Sequence, residues 1–223
     1  LIVSDPGTTF RAGASSIGGR NSTMVYSNGA SANILQIQGM ADSAGLYIGG
    51  NGTTWSNPVG TRMQGSSLVF RVTEGAVARS GDIWIEGDHA EITISDPGTR
   101  VAASNITALL GGAVGGRLTV SNGAQVTSAG LTLIGTPNGR VDVVGPGTMW
   151  TATGDLTLQT MPMRVAEGAH FSAANASVYE PGRLEIVGAG TVWSNSGTFI
   201  GGGNTAQLYL TGGALMGQAG NIV

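Results

Sequence analysis

The chain has 223 residues, 10% of them charged, with ten basic and 13 acidic residues for a formal net charge of −3. None of the basic residues is Lys and no basic patch stands out in the sequence, which excludes a nucleic-acid-binding surface. There is no Cys, so disulfides and thiolate metal sites are excluded. No apolar run is long enough for a membrane-spanning helix, so this segment is not expected to insert into a membrane.

Read in order, the chain opens on Leu1 to Phe10, LIVSDPGTTF. Two apolar residues flank a third, Gly7-Thr8 follows, and an aromatic stands three past the glycine. The cassette returns at Leu46–Trp55 (LYIGGNGTTW), Ile92–Val101 (ITISDPGTRV), Val141–Trp150 (VDVVGPGTMW) and Leu184–Trp193 (LEIVGAGTVW). A sister cassette alternates with it: MVYSNGA from Met24, FRVTEGA from Phe70, LTVSNGA from Leu118, MRVAEGA from Met163 and LYLTGGA from Leu208. The anchor glycines are Gly7, Gly29, Gly52, Gly75, Gly98, Gly123, Gly147, Gly168, Gly190 and Gly213, at intervals of 21 to 25 residues. A period held along the whole chain marks a repeat architecture. The 39 glycines therefore read as turn punctuation and not as disorder.

The apolar-x-apolar element has a period of two, the mark of a strand with one buried face. About 22 residues suffice for three short strands and three turns, one coil of a parallel β-helix (a solenoid). The expectation is an all-β chain of about ten coils, with residues 1–223 forming a single domain. The inward pairs are Leu1/Val3, Met24/Tyr26, Leu46/Ile48, Phe70/Val72, Ile92/Ile94, Leu118/Val120, Val141/Val143, Met163/Val165, Leu184/Ile186 and Leu208/Leu210. Only Tyr26 brings a polar atom inside. The residue between each pair forms an outward column, which places Arg164 between Asp142 and Glu185 as an ion-pair ladder. A second strand follows each anchor glycine. A third is predicted near Ile17, Met63, Ile85, Leu133, Leu158, Val178, Ile200 and Val223, several leading into Gly, as in Ile17-Gly18-Gly19 and Ile200-Gly201-Gly202. Arg100 to Leu110 lacks glycine and could turn helically, but the coil register continues through it. Neither end shows a polar capping coil, which predicts a segment of a longer chain whose open ends associate end to end.

Four features could carry chemistry. Asp82, Glu86, Asp88 and Glu91, with His89 among them, form an acidic group near Gly81 and Gly87. Paired carboxylates serve glycan hydrolysis, but a turn without inserted loops offers no walls to shift a pKa. The aromatic column Phe10, Trp55, Trp150 and Trp193 could stack sugars. Its intervening members Ala32, Ala78, Val126, Phe171 and Met216, with Val101, are all apolar, so a core layer is expected, with large facing small. Its neighbours Thr9, Arg11, Thr54, Ser56, Arg100, Gln125, Thr151 and Ser194 should face outward. Each buried indole N–H then needs a partner, and the Thr one past the glycine (Thr8, Thr53, Thr99, Thr148, Thr191) shares the inward parity. That parity also denies those threonines an ice-binding role. The stretch LLGGAVGG from Leu109 lacks the Lys and helix of a phosphate loop and reads as a turn. His89 and His170 lie several coils apart and cannot share a metal, and calcium-binding GGxGxD repeats are absent.

The alternating GxGTxW and xxGAxV cassettes with IGG turns resemble the passenger-domain repeats of bacterial autotransporters, the type V secretion family. The resemblance spans all ten coils. It implies a right-handed parallel β-helix, exported through the outer membrane by a C-terminal β-barrel and displayed on the cell surface or secreted. Many members are adhesins or other virulence factors. The expected function is a non-catalytic adhesin shaft or binding surface, with no catalytic, cofactor-binding or metal residue. Expected partners are host-cell-surface or matrix glycans and proteins, and other copies of the chain through its ends. The alternative is a glycan-active lyase or hydrolase on the same fold.

Overall fold

The computed structural model describes residues 1–39, 41–112, 115–201 and 206–218. Ala113, Val114, Gly202 and Val223, each part of an expectation above, lie outside them. The chain is a parallel β-solenoid of about nine turns, about 23 residues apart, with 64% of its residues in strands. Coils are numbered 1 to 10 here by their anchor glycines. One sheet stacks ten strands, one per coil, from Ile2–Val3 through Glu91–Ser95 to Gln207–Thr211. Its register joins Ile2, Val25, Tyr47, Arg71, Thr93, Thr119, Asp142, Arg164, Glu185 and Tyr209 in one line, the outward column read from the sequence. Arg100–Leu110 is a strand, not a helix.

The second sheet corrects the expectation of three short strands per coil. In coils 1 to 6 the second and third strands are one element of 9 to 11 residues, such as Thr54–Gln64 and Gln125–Gly135. Only coils 7 to 9 divide it, for example into Val192–Asn195 and Gly197–Gly201. The corner nevertheless exists earlier. The ladder passes over Gly13 between Ala12↔Ile34 and Ala14↔Gln36, and over Ser104 between Ala103↔Ser128 and Asn105↔Gly130. Small and polar residues there let one strand bend without ending.

The two cassettes make two different turns. In the Gly-Ala coils, two consecutive residues have positive φ, as at Asn28 (54°) and Gly29 (80°), and Ala30 N–H donates to Ser27 O at 3.1 Å. That is the φ pattern of a type I′ turn, which favours Asn-Gly. In the Gly-Thr coils only the second central residue is left-handed, as in Asp96-Pro97-Gly98-Thr99, with Gly98 at 84° and Thr99 N–H donating to Asp96 O at 3.1 Å. That is the type II pattern, with Pro placed where its fixed φ fits.

The apolar interior follows the parity argument. Every inward pair of coils 2 to 9 is buried, while Leu1 (52% exposed) and Leu210 (48%) stand open on the end coils. Tyr26 is fully buried, its hydroxyl 3.7 Å from Met24 Sδ, and burial pushes its pKa up to about 12. Trp55, Trp150 and Trp193 are buried against Ala32, Ala78, Val126 and Phe171 of neighbouring coils. Phe171 and Trp193 stack at 4.4 Å. At 150–250 Å² of side chain each, every buried Trp contributes on the order of 4–6 kcal/mol of transfer free energy.

Thr53, Thr99, Thr148 and Thr191 are buried as expected, whereas Thr8 on the open first coil is exposed, and the buried four do not serve the indoles. Their hydroxyls accept the N–H of the preceding coil's anchor: Gly29 to Thr53, Gly75 to Thr99, Gly123 to Thr148 and Gly168 to Thr191, at 2.9–3.0 Å. Thr53, Thr148 and Thr191 also donate to the carbonyl four residues back. Each Thr thus ties a Gly-Thr turn to the Gly-Ala turn before it. The indoles find other partners: Trp150 Nε1 donates to Ser128 Oγ at 3.2 Å and Trp193 Nε1 to Asn195 Oδ1 at 3.1 Å. Trp55 Nε1 is buried with no partner among the described residues.

Candidate functional site

The acidic group is not gathered in one turn. Asp82 and Glu86 lie on the strand Val77–Glu86, Glu91 opens the strand Glu91–Ser95, and only Asp88 and His89 occupy the turn between. Alternation then sends the acids to different places. Asp82 Oδ1 accepts from Asn105 Nδ2 at 2.8 Å. Glu91 Oε1 accepts from Arg71 Nη2 at 2.7 Å and from Thr93 Oγ1 at 3.2 Å. Glu86 and Asp88 remain together in an open cleft of about 420 Å³ that Gln64, Ser66, Leu109 and Ile134 help to line. Trp84 Nε1 approaches Glu86 Oε2 at 3.4 Å, and Arg62 lies 5.6 Å from the Trp84 ring. On the same edge, the Ser66 backbone N–H donates to Asp42 Oδ1 at 3.0 Å and holds that carboxyl below its usual range. The cleft therefore offers two acids, a nearby aromatic and no arginine within its walls. His89 lines a separate cleft with Glu91 and Arg117, and His170 is three coils away.

The aromatic column is core, so it offers no sugar platform. The outward neighbours Thr9, Arg11, Thr54, Arg100 and Gln125 are exposed, and Ser56, Thr151 and Ser194 half-buried. Leu110 ends a strand, and Gly112 in LLGGAVGG is closely packed: a Cβ there would meet Asp88 Cγ at 2.4 Å.

The larger correction is on the outer face of the ten-stranded sheet. The sequence shows no cluster of basic residues, yet Arg71, Arg117, Arg140, Arg164 and Arg183 all lie on this face. Strand stacking gathers residues about 23 positions apart. The expected ladder has the right register and the wrong partners. Arg164 Nη1 reaches Glu167 Oε1 at 3.5 Å. Asp142 instead takes Arg117 Nη2 at 3.0 Å and Arg140 Nε at 2.8 Å, and Glu185 takes Arg183 Nε at 2.5 Å. The sequence signal for this was the residue just ahead of each inward pair, which is Arg117, Arg140 and Arg183 in three late coils. Pro137, Pro162 and Pro181 border Arg140, Arg164 and Arg183 around a cleft of about 280 Å³. Arg183 also stacks 4.3 Å over the half-exposed Tyr209 ring.

Among the described residues no group of three or more His, Cys, Asp or Glu could hold a metal ion. In comparisons of sequence and structure, no family model, no curated protein and no solved structure matches the chain.

Proposed function

We propose that this chain is a stretch of an autotransporter passenger β-helix, borne on the bacterial surface or released from it. It acts as an adhesin shaft or binding surface and performs no catalysis. The observation that supports this best is uniformity. Ten anchor glycines recur at 21 to 25 residues, so no long insertion rises to build a lid or a deep cleft, where catalytic residues of a scaffold usually sit. Solenoids of this regularity commonly bind through extended faces. The alternating cassettes favour the autotransporter reading over other solenoids. The test is a screen of the chain against host-cell surfaces and matrix glycans, with parallel assays for new reducing ends or unsaturated uronides. Binding without turnover is the expected result.

The second reading, a glycan-active enzyme, draws on the cleft that holds Glu86 and Asp88. Turnover that disappears in Glu86→Gln or Asp88→Asn would replace the shaft reading with this one.

A further inference from the structure

We propose that the outer face of the ten-stranded sheet, across coils 6 to 9, docks a linear anionic glycan. Its carboxylate or sulfate groups would be met by Arg117, Arg140, Arg164 and Arg183. This deepens the surface-binding reading and rests on it.

The first support is spacing. Arg117 pairs in register with Arg140, Asp142 with Arg164, and Arg164 with Glu185, whose strand opens on Arg183. Each of four successive coils therefore presents one guanidinium. Strand stacking sets them roughly 4.7–4.9 Å apart along the axis. That is a row suited to an extended polymer with a charge on each unit. Arg117 and Arg140 stand directly side by side on adjacent strands, a like-charge pair that shares the single carboxylate of Asp142.

The second support is depth. The arginine side chains are 62, 47, 29 and 45% exposed in chain order, whereas Asp142 is 2% and Glu185 23% exposed. Asp142 lies beneath the cations, so an approaching chain meets Arg117 and Arg140 before it, while Glu185 lines the cleft beside Arg140, Arg164 and Arg183. Glu167, 61% exposed beside Arg164, is the exception. Asp142 fixes Arg117 and Arg140 from below, and Arg117 Nε is further held by Thr119 Oγ1 at 3.2 Å. The four arginines and the acids that pair with them, Asp142, Glu167 and Glu185, sum to 4 − 3 = +1, while Glu91, beside Arg117 in the ladder, pairs with Arg71. Arg140 Nε lies 2.8 Å from Asp142 Oδ1 and Arg183 Nε 2.5 Å from Glu185 Oε1, and each guanidinium also carries two Nη groups. A guanidinium fork of that kind matches a carboxylate or sulfate in bidentate fashion.

The third support is the wall. Pro137, Pro162 and Pro181 stand on three successive coils beside Arg140, Arg164 and Arg183. Proline offers no N–H and presents C–H surface, and the Tyr209 ring extends that surface under Arg183. Apolar rings beside a row of cations suit the faces and charged groups of an acidic sugar chain.

The test is calorimetric titration of the chain with heparin oligosaccharides, oligogalacturonate and neutral dextran oligomers, at about 50 mM and about 300 mM salt. The expected result is binding of an anionic glycan, none of dextran, and an affinity about tenfold weaker in the higher salt. Heparin alone would assign sulfate, and oligogalacturonate alone would assign carboxylate. Arg140→Gln/Arg183→Gln should weaken binding about tenfold with an unchanged circular dichroism spectrum. Arg164→Gln, which leaves the Asp142 pairs intact, should weaken it less. Arg62→Gln/Arg100→Gln on the other sheet should leave it unchanged. Three results would each overturn the site: no anionic glycan bound at low salt, equal loss in the Arg62/Arg100 variant, or equal binding of single-stranded DNA. Adhesion to cells without glycan binding removes this site and keeps the shaft reading. Glycan binding without any adhesion does the reverse.

Discussion

The corners that follow Trp55 and Trp193 begin alike and end differently. Each has Asn five residues past the anchor glycine, buried, with its amide Nδ2 donating to an inward Thr: Asn57 to Thr61 Oγ1 at 3.1 Å and Asn195 to Thr198 Oγ1 at 2.6 Å. Coil 9 turns through Ser196 alone. Coil 3 turns through Pro58 and Val59, one residue more than its neighbours, and the ladder shifts register there on both sides. The extra residue swings Gly60 N–H onto Asn57 Oδ1 at 2.8 Å, whereas Asn195 Oδ1 takes Trp193 Nε1. Trp55 Nε1 is thereby orphaned. One inserted residue is thus enough to redirect a buried amide and leave an indole unpaired, with the hydrophobic layer itself undisturbed.

Removing the amides should give the largest effects. Asn195→Ala strips a partner from both Trp193 Nε1 and Gly197 O, and should cost about 3 kcal/mol in chemical denaturation. Asn57→Ala should cost about 2 kcal/mol, because Trp55 Nε1 has nothing to lose. Equal losses would contradict the hydrogen-bond assignment. Replacing the indoles sharpens the contrast. Trp193→Phe leaves Asn195 Oδ1 without its donor, while Trp55→Phe deletes an unpaired N–H. Trp193 also stacks on Phe171 whereas Trp55 lies between Ala32 and Ala78, so Trp55→Phe should be less destabilising by about 1–2 kcal/mol. The smallest effect should come from deleting Val59, which is 53% exposed on the bulge. Restoring the coil 9 spacing should let Asn57 reach the indole and raise stability by about 1 kcal/mol. A lower melting temperature in the deletion would show that the bulge is needed for another reason.

Parity made the interior legible. From Phe70/Val72 through Leu184/Ile186 the inward pairs alternate with polar residues, and a one-residue slip would have put each pair in water. The tryptophans could be placed inside for the same reason. The hydroxyl partners could not be read, because Thr53 faces inward whether it meets an indole or Gly29 N–H. That choice depends on which group of the next coil lies closest. The ion pairs failed on reach. Register put Arg164 between Asp142 and Glu185, but the long side chains of Arg117, Arg140 and Arg183 start two positions earlier on the same face and get there first. The arginine face stayed hidden because its members are far apart in the chain, and the division of the acids among three sites depended on which strand face each occupied.

The threonine tie has a consequence for how such a chain can lengthen. Because Thr99 grips Gly75 and Thr148 grips Gly123, coils 4 and 5, and coils 6 and 7, behave as bonded pairs. Losing one coil would set Thr turn against Thr turn, or Ala turn against Ala turn, and leave a threonine hydroxyl or an anchor N–H without the partner it has now. Losing two keeps every contact type. A gene for this solenoid can therefore gain or shed length by tandem duplication or deletion, but the tolerated step is the coil pair. The solenoid grows in even increments.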